Sequence, residues 1–276
     1  VAGMSLDGTK FFYVNPLAVW PEGSEKACDL WHVLPTRPSW FGCACCPPNL
    51  ARTVMSLGSY QYTMLDGAVY AQLYADSDAS LDLGGGRRAA IRMKTGYPVD
   101  GRVEMVVAGG SFPLVLRIPG WCKSFRLAID GVPAAFTLQD GYAVLASDWT
   151  GQTVTLELEM PVERVYAGPQ VPHDAGLVCL QRGPLVYCLE EADNGKRLWN
   201  LSLPADAALE TTYEADLLEG VTVVSAMGFR RADDDAGVLY RNNGRPIQVP
   251  VPLRFIPYYA WANRAVGEMR VWIREC

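Results

Sequence analysis

Three cysteines lie within four residues of the chain, in the segment WFGCACCPPN at residues 40–49. The whole sequence holds only 8 cysteines and 2 histidines, so this clustering stands out. A cysteine reacts and binds metals as the thiolate, and the start of a helix favours that form through unsatisfied N–H groups and the positive end of the helix dipole. Pro47 and Pro48 indicate a helix start directly after Cys45 and Cys46. The pattern therefore predicts two reactive or metal-binding thiols.

A complete metal site cannot be read from this segment. Its C-A-C-C spacing differs from the C-x2-C pairs of zinc ribbons, and adjacent cysteines rarely supply a whole tetrahedral shell. Cys28 and His32 are the nearest further candidates for ligands. The alternative is that the cysteines are small buried apolar side chains. The residues alone indicate a thiolate site and leave the metal and the reaction open.

The elements that would position these thiols change in character along the chain. Leu50, Val54, Leu57 and Gln61 recur at helical spacing after the two prolines, and Gly58 is a weak point near the end of that helix. From about residue 66 onward the apolar residues alternate with polar ones, as in VTLELEM and FPLVLRI. This period of two predicts strands with one buried face.

Turn signals divide the alternating region into short strands. They recur every eight to twelve residues or so, which is typical of antiparallel β-sandwiches; the clearest are Asp66-Gly67, Gly84-Gly85-Gly86, Asp100-Gly101, Asp130-Gly131 and Asp140-Gly141. The proline-containing segment PVERVYAGPQVPHDAG indicates a connection between two β units. We therefore expect a terminal helical segment at residues 1–65, a first sandwich at 66–166 and a second at 167–276.

Composition excludes several classes of function. Hydrophobic residues make up 50% of the chain, charged residues 20%, and the formal net charge is −6 without a basic stripe. We therefore expect a globular protein that binds neither nucleic acid nor membrane. The irregular cysteine spacing favours reduced thiols and a cytoplasmic location. The first residue, Val1, suggests a fragment, and the sequence leaves open whether the chain forms a homodimer.

Several long motifs together resemble one known family. WFGCACCPPN with the helix that follows it, FFYVNPL upstream, and QRGPLVYCLEEADNG and FIPYYAWANR downstream are similar to glycoside hydrolase family 127, the bacterial β-L-arabinofuranosidases. The resemblance implies an (α/α)6 catalytic barrel followed by two β-sandwich domains. About 65 residues cannot form a twelve-helix barrel. The expected fold is therefore mainly β, with two antiparallel β-sandwich domains preceded by the last segment of an (α/α)6 barrel whose larger part is absent from this chain.

The resemblance also implies roles for individual residues. It makes Cys45 the nucleophile and a ligand of Zn²⁺, and Cys46 a second ligand, whereas Cys43 has no catalytic role and is expected to be structural. Tyr13, in FFYVNPL, is either a substrate contact or a core residue. The acid/base glutamate and the remaining zinc ligands, a glutamate and a cysteine, would precede FFYVNPL and lie outside this chain, so neither Cys28 nor His32 is given their roles.

The expected activity is zinc-dependent, retaining exo-hydrolysis of terminal β-L-arabinofuranosides, with oligosaccharides or glycopeptides containing L-arabinofuranose as substrates. This chain alone is expected to be inactive. One alternative is a non-catalytic β-sandwich module that binds carbohydrate, and another is a protein with a purely structural zinc site.

Structural roles are favoured for several other residues. Trp261, Asn263 and Arg264 could bind a sugar, but a role at a domain junction is favoured. Glu190 and Glu191 are adjacent on a predicted strand and face opposite sides, so they do not form an acid/base pair.

Overall fold

The computed structural model describes residues 3–24, 26, 33–42, 45–232, 240, 242 and 247–276. These residues form two compact units: the first combines residues 1–44 with 162–276, and the second comprises residues 45–161. Both are built mainly of strands, so the predicted fold class is confirmed. The predicted segment 1–65 is divided between the two units. Cys28, His32 and Cys43 lie outside the described residues.

The secondary structure consists of many strands and short helices. The helices are α1 Pro21–Ser24, α2 Cys46–Ser56, α3 Gly58–Gln61 and α4 Glu191–Asn194, with 3₁₀ turns at Pro172–Asp174, Leu198–Asn200 and Tyr258–Ala260. The strands up to residue 158 are β1 Ala18–Val19, β2 Tyr62–Leu65, β3 Ala68–Ala71, β4 Ser77–Gly84, β5 Arg87–Thr95, β6 Arg102–Arg117, β7 Phe125–Ile129, β8 Val132–Pro133, β9 Thr137–Gln139 and β10 Tyr142–Leu158. The later strands are β11 Val162–Val165, β12 Leu177–Arg182, β13 Leu185–Glu190, β14 Leu201–Leu203, β15 Glu210–Glu214, β16 Val221–Arg231, β17 Gln248–Pro257, β18 Met269–Arg270 and β19 Ile273–Glu275.

Two long strands, β6 and β10, organise the second unit. The sheet runs in the order β2-β3-β6-β10-β7-β8, with β5 also on β6, β4 on β5 and β9 on β10. The first half of β10 pairs with the second half of β6, where Leu145 is opposite Leu114. The second half of β10 pairs with the first half of β6, where Leu156 is opposite Val103. Side chains from both halves of each strand enter one apolar core. A sandwich core is thereby built largely from two chain segments.

A glycine accommodates a β-bulge between these two long strands. The β6–β10 register shifts between Trp149 and Gln152, and Gly109, with a φ of 123°, lies opposite this region. A Cβ at Gly109 would lie 2.2 Å from the carbonyl oxygen of Arg88. Only glycine combines this φ with such close backbone approach, so the bulge needs glycine at this position.

The predicted hairpin turns are confirmed at three Asp-Gly pairs. Asp66-Gly67 joins β2 to β3, Asp130-Gly131 joins β7 to β8, and Asp140-Gly141 joins β9 to β10. Both residues of each pair have a positive φ, between 48° and 81°. This is the geometry of the tight turns that match the twist of paired strands. The alternation in VTLELEM is confirmed as well, because Val154, Leu156 and Leu158 are buried.

The first unit has one mixed sheet, in the order β1-β18-β13-β17-β16-β14-β19-β12-β11, with β15 on β16. Strand β11 begins inside the predicted connection between the β units, so that segment opens with a strand of this sheet. Strand β1 comes from the amino-terminal segment and pairs with β18 at the sheet edge. Residues far apart in sequence therefore share one sheet. Within the described ranges, no helix is both long and apolar enough to cross a membrane.

Candidate functional site

Cys45 and Cys46 lie at the start of α2, as predicted. Cys45 is the residue immediately before the helix, its side chain is exposed, and Cys46 is the half-buried first helical residue. The helix begins one residue before the prolines, and the backbone N–H of Asn49 donates to the carbonyl oxygen of Cys45, 3.3 Å away. The side chain of Cys45 is therefore accessible to a ligand in this unit.

The two prolines limit what the helix start can offer. Pro47 and Pro48 have no N–H, and the N–H of Asn49 donates to the carbonyl oxygen of Cys45. This helix start therefore offers fewer N–H groups beside the thiols than a helix start without prolines would. The positive end of the helix dipole remains, and it favours negative charge at Cys45 by a modest amount, on the order of 0.5 kcal/mol.

Leu50, Val54, Leu57 and Gln61, the residues whose spacing predicted this helix, do not form a buried helix face. The helix divides near Gly58, as expected, into α2 and α3. None of the residues of α2 is buried, and the exposed apolar side chains of this region include Val54, Met55, Leu57 and Tyr60. Gln61, the last residue of the predicted row, is buried and donates to the carbonyl oxygen of Ala75 at 2.6 Å. The row thus presents an open apolar surface rather than a core contact.

Cysteines elsewhere in the chain have a different environment. Cys179 and Cys188 are buried in the first unit. Burial raises the pKa of Cys179 to about 11 and raises that of Cys188 well above its usual value. Both behave as small apolar side chains, the alternative considered for the cluster. Exposure at a helix start distinguishes Cys45 from them.

The donors for a metal are only partly present. Two adjacent thiols suit Zn²⁺ chemically, and a tetrahedral site needs four ligands. In the part of the chain that the structure describes, no group of three or more His, Cys, Asp or Glu side chains could hold a metal ion. Cys45 and Cys46 therefore fit two positions of a zinc site, and the described residues do not complete it.

Tyr13 belongs to the first unit and does not lie in its core. Its side chain is 39% exposed, whereas the preceding Phe11 and Phe12 are buried. The Tyr13 ring contacts Phe41 at 5.5 Å between ring centroids, and Phe41 in turn contacts Phe11 at 5.0 Å. Of the two alternatives for Tyr13, the structure leaves its ring accessible to a substrate.

A buried arginine fixes the segment that carries Tyr13. The guanidinium of Arg37 donates to the carbonyl oxygens of Gly3, at 3.2 Å, and Trp261, at 2.5 Å. It also lies over the ring of Phe12, 4.6 Å from the centroid, and Phe12 stacks on Trp261 at 4.7 Å. The role of Arg37 could not be predicted from the sequence, because an arginine between prolines carries no periodic signal. The tertiary contacts make it the anchor of the FFYVNPL motif.

Residues that suggested sugar binding in the second predicted sandwich have structural roles. Asn263 accepts the N–H of Leu6 at 3.0 Å and donates to the carbonyl oxygens of Ala260 and Trp261. Arg264 pairs with the carboxylates of Glu190 and Asp193. The side chains of Asn263 and Arg264 thus join distant segments of the first unit.

Glu190 and Glu191 also serve separate structural contacts. Glu190 ends β13 and accepts the N–H of Ala262 at 2.6 Å. Glu191 begins α4, rather than continuing the predicted strand, and accepts the N–H of Glu268 at 3.0 Å. The two carboxylates bind different backbone groups, as expected for residues that do not form an acid/base pair.

The family resemblance was tested by comparison with known proteins. Three family profiles match successive parts of the chain: the GH127 catalytic domain of β-L-arabinofuranosidase at residues 1–59, the GH127 middle domain at 68–160, and the glycoside hydrolase family 127 C-terminal domain at 162–274. The non-reducing end β-L-arabinofuranosidase of Bifidobacterium longum subsp. longum is 41% identical over 293 residues, which covers 100% of this chain and 43% of the relative.

Solved structures show the same similarity. A GH127 β-L-arabinofuranosidase from Geobacillus stearothermophilus T6 matches with a TM-score of 0.93 and 48% identity, over 100% of this chain and 44% of the other. A second GH127 β-arabinofuranosidase matches with a TM-score of 0.86 and 31% identity, over 100% of this chain and 43% of the other. The chain spans less than half the length of these relatives. The matched domains, in this order and over nearly the whole sequence, show that the chain belongs to glycoside hydrolase family 127.

Proposed function

We propose that this chain carries the cysteine nucleophile of a zinc-dependent, retaining exo-β-L-arabinofuranosidase. The observation that carries the proposal is the exposed Cys45 at the start of α2, inside the region that matches the family's catalytic domain. Two relatives are named β-L-arabinofuranosidases, which supports L-arabinofuranose as the sugar that is released. Proposed substrates are oligosaccharides or glycopeptides with a terminal L-arabinofuranose.

In the proposed reaction, the thiolate of Cys45 attacks the anomeric carbon, and the bond from that carbon to the leaving oxygen breaks. A general acid, a glutamate outside this chain, donates a proton to that oxygen. The same group then takes a proton from water, which attacks the anomeric carbon and releases the thiolate. Two displacements leave the anomeric configuration unchanged. The side chain of Tyr13, which is partly exposed, is proposed to contact the sugar.

Cys45 and Cys46 are proposed as two of the four ligands of Zn²⁺, with the others outside this chain. When bound, the metal would keep both thiols ionised and improve sulfur as a leaving group. Because acid/base and ligand residues are then missing, the chain alone is proposed to be inactive. Zinc content, measured by elemental mass spectrometry, should fall in Cys46→Ser, whatever the activity of the sample.

The decisive experiment supplies the missing part from a relative. A chimera would replace the matching 43% of the Bifidobacterium relative with this chain. We expect it to release arabinose from an aryl β-L-arabinofuranoside, and we expect Cys45→Ser to lower kcat by several orders of magnitude while folding normally. Cys122→Ser, a half-buried thiol of the same unit, is the matched control and should keep full activity.

The outcomes separate the alternatives. Full activity in Cys45→Ser would contradict the thiolate mechanism. Unfolding of both Cys45→Ser and Cys46→Ser, with zinc lost, would favour a structural metal site. A folded chimera that binds arabinosides without turnover and is indifferent to Cys45→Ser would favour a carbohydrate-binding module.

A cytoplasmic location is also proposed. It is supported by the reduced thiols of Cys122, Cys179, Cys188 and Cys276, which form no disulfides. The concentration dependence of sedimentation would decide whether the chain forms a homodimer.

A further inference from the structure

An open groove of about 330 Å³ lies in the first unit, at the sheet edge where β1 pairs with β18. The residues that define this tryptophan groove are Trp20, Gly23, Trp199, Glu268, Met269 and Arg270. Neither Cys45, Cys46 nor Tyr13 lines it. Trp20 and Trp199 are 49% and 40% exposed, and their rings meet edge to face with centroids 5.5 Å apart. Large exposed aromatic rings that line a concave surface mark a binding site rather than a core.

A glycine holds the first indole in place. Trp20 directly follows β1, and its ring lies against Gly23 in the short helix α1. A Cβ at Gly23 would lie 2.2 Å from Cε3 of Trp20, so any other residue would displace the ring. The backbone at Gly23 therefore determines the orientation of the Trp20 indole.

A buried carboxylate holds the second indole. Trp199 lies in the 3₁₀ turn Leu198–Asn200. The carboxylate of Glu268 accepts the N–H of Arg197 at 2.9 Å and the N–H of Leu198 at 2.7 Å. Arg197 has a φ of 60°, a conformation that a non-glycine residue adopts at a cost. Glu268 thus stabilises a strained turn that presents Trp199 beside Trp20.

A guanidinium supplies hydrogen-bond donors to the groove. The Nε of Arg270 donates to the carbonyl oxygen of Trp272 at 2.7 Å. Its two Nη groups make no hydrogen bond or ion pair with the described residues. Burial lowers the pKa of Arg270, the charge of Arg274 adds to this, and the charge of Glu268 opposes it. A half-buried guanidinium with unused donors favours a ligand with oxygen acceptors.

These features together select one class of ligand. The flat face of a sugar ring carries C–H groups with partial positive charge, which complement the negative face of an indole. Its hydroxyl groups accept hydrogen bonds at the ring edge, as the Nη groups of Arg270 require. The groove lining carries one positive side chain, Arg270, and one negative side chain, Glu268, so an anionic group on the ligand is not needed. We propose that the tryptophan groove binds a neutral saccharide, with the sugar stacked on Trp20 and Trp199 and hydrogen-bonded to Arg270.

The proposal is independent of turnover, so binding to the chain itself tests it. Nitrogen-15 NMR spectra of the indole N–H groups would be recorded during titration with arabinotriose, xylotriose and galactotriose. We expect the Trp20 and Trp199 resonances, assigned by their loss in Trp20→Ala and Trp199→Ala, to shift saturably with at least one trisaccharide. Affinity should fall about tenfold in Trp199→Ala, the size of one lost aromatic contact.

Two further variants and a control complete the test. Gly23→Ala keeps both indoles but displaces the ring of Trp20. Arg270→Met keeps the apolar part of the side chain and removes the Nη donors. Each variant should weaken binding about threefold to tenfold. Tyr166→Ala removes an exposed ring outside the groove and should leave binding unchanged.

Circular dichroism would establish that each variant is folded. No saturable shift with any of the three sugars would overturn the proposal, as would shifts confined to other tryptophans or equal loss of affinity in Tyr166→Ala. Because neither Cys45 nor Cys46 lines the groove, retained binding in a folded chimera that lacks turnover would support the groove whatever the outcome for the catalytic role.

Discussion

The two units use charged side chains in opposite ways. In the second unit, the described ion pairs lie on the sheet surface, as in Arg92 with Asp78 and Lys94 with Asp76, and all have well-exposed partners. In the first unit, Arg264 pairs with Glu190 and Asp193, whose side chains are only 6% and 9% exposed. Exposed pairs contribute little to stability, whereas breaking a buried pair leaves an uncompensated charge.

This difference follows from chain connectivity. The core of the second unit is apolar and comes from strands that are neighbours in a continuous segment. The first unit must join residues 1–44 to residues 162–276, and it does so with Arg37 and Asn263 as well as with apolar contacts. Directional hydrogen bonds select one arrangement among many apolar ones, so the buried polar groups fix how the two segments meet.

The largest expected effect comes from the buried pair. Glu190→Ala removes the acceptor for Arg264 and for the N–H of Ala262, and should lower the free energy of unfolding by about 4 kcal/mol. Hydrogen exchange should increase in peptides from residues 162–276. Glu104→Ala, which removes an exposed partner of Arg102, should cost less than about 1 kcal/mol. Equal losses in both variants would remove the contrast between the units.

The second-largest expected effect concerns the β-bulge opposite Gly109 in the second unit. Gly109→Ala should destabilise it by about 2 kcal/mol, because the new Cβ meets the carbonyl oxygen of Arg88. Gly110→Ala is the matched control: it also has a positive φ, of 85°, but open space around its Cβ position. Urea unfolding of the two variants would separate backbone strain from the clash. A larger loss in Gly110→Ala would contradict the close approach at Gly109.

The smallest expected effect concerns alkaline pH in the first unit. Burial raises the pKa of Cys179 from 9.0 to about 11, so the unfolded chain loses this proton at lower pH than the folded chain. The buried, protonated thiol makes its full contribution to the free energy of unfolding below pH 9. This contribution is lost as the pH rises from 9 to 11, and the loss is about 1 to 2 kcal/mol at pH 10.5.

Urea midpoints between pH 8 and pH 10.5 would measure this loss. Cys179→Ala should flatten the fall with pH, and Cys276→Ala, an exposed thiol, should not. An unchanged slope in Cys179→Ala would assign the alkaline loss to other buried groups. These include Cys188, whose pKa burial raises well above its usual value, and Tyr187 and Tyr258, whose pKa values burial raises to about 12.

Local features of the fold were predictable because neighbouring residues determine them. Asp-Gly pairs allow the positive φ of tight turns, prolines start helices, and alternation marks one buried strand face, so the turns, α2 and β10 follow from short stretches. Cys45 and Cys46 could be singled out by the same local logic. Their accessibility required the structure. The missing N–H groups of Pro47 and Pro48 follow from the sequence.

Sequence alone thus determined the mainly β architecture, the hairpin positions and the cysteine pair at a helix start. Only the tertiary structure decided that Arg37 anchors FFYVNPL and that Glu190 pairs with Arg264. It alone placed Trp20 against Gly23 and beside Trp199. The physical reason is that turns and periodicity depend on residues a few positions apart, whereas these contacts join residues from separate segments, whose meeting depends on how the whole unit packs.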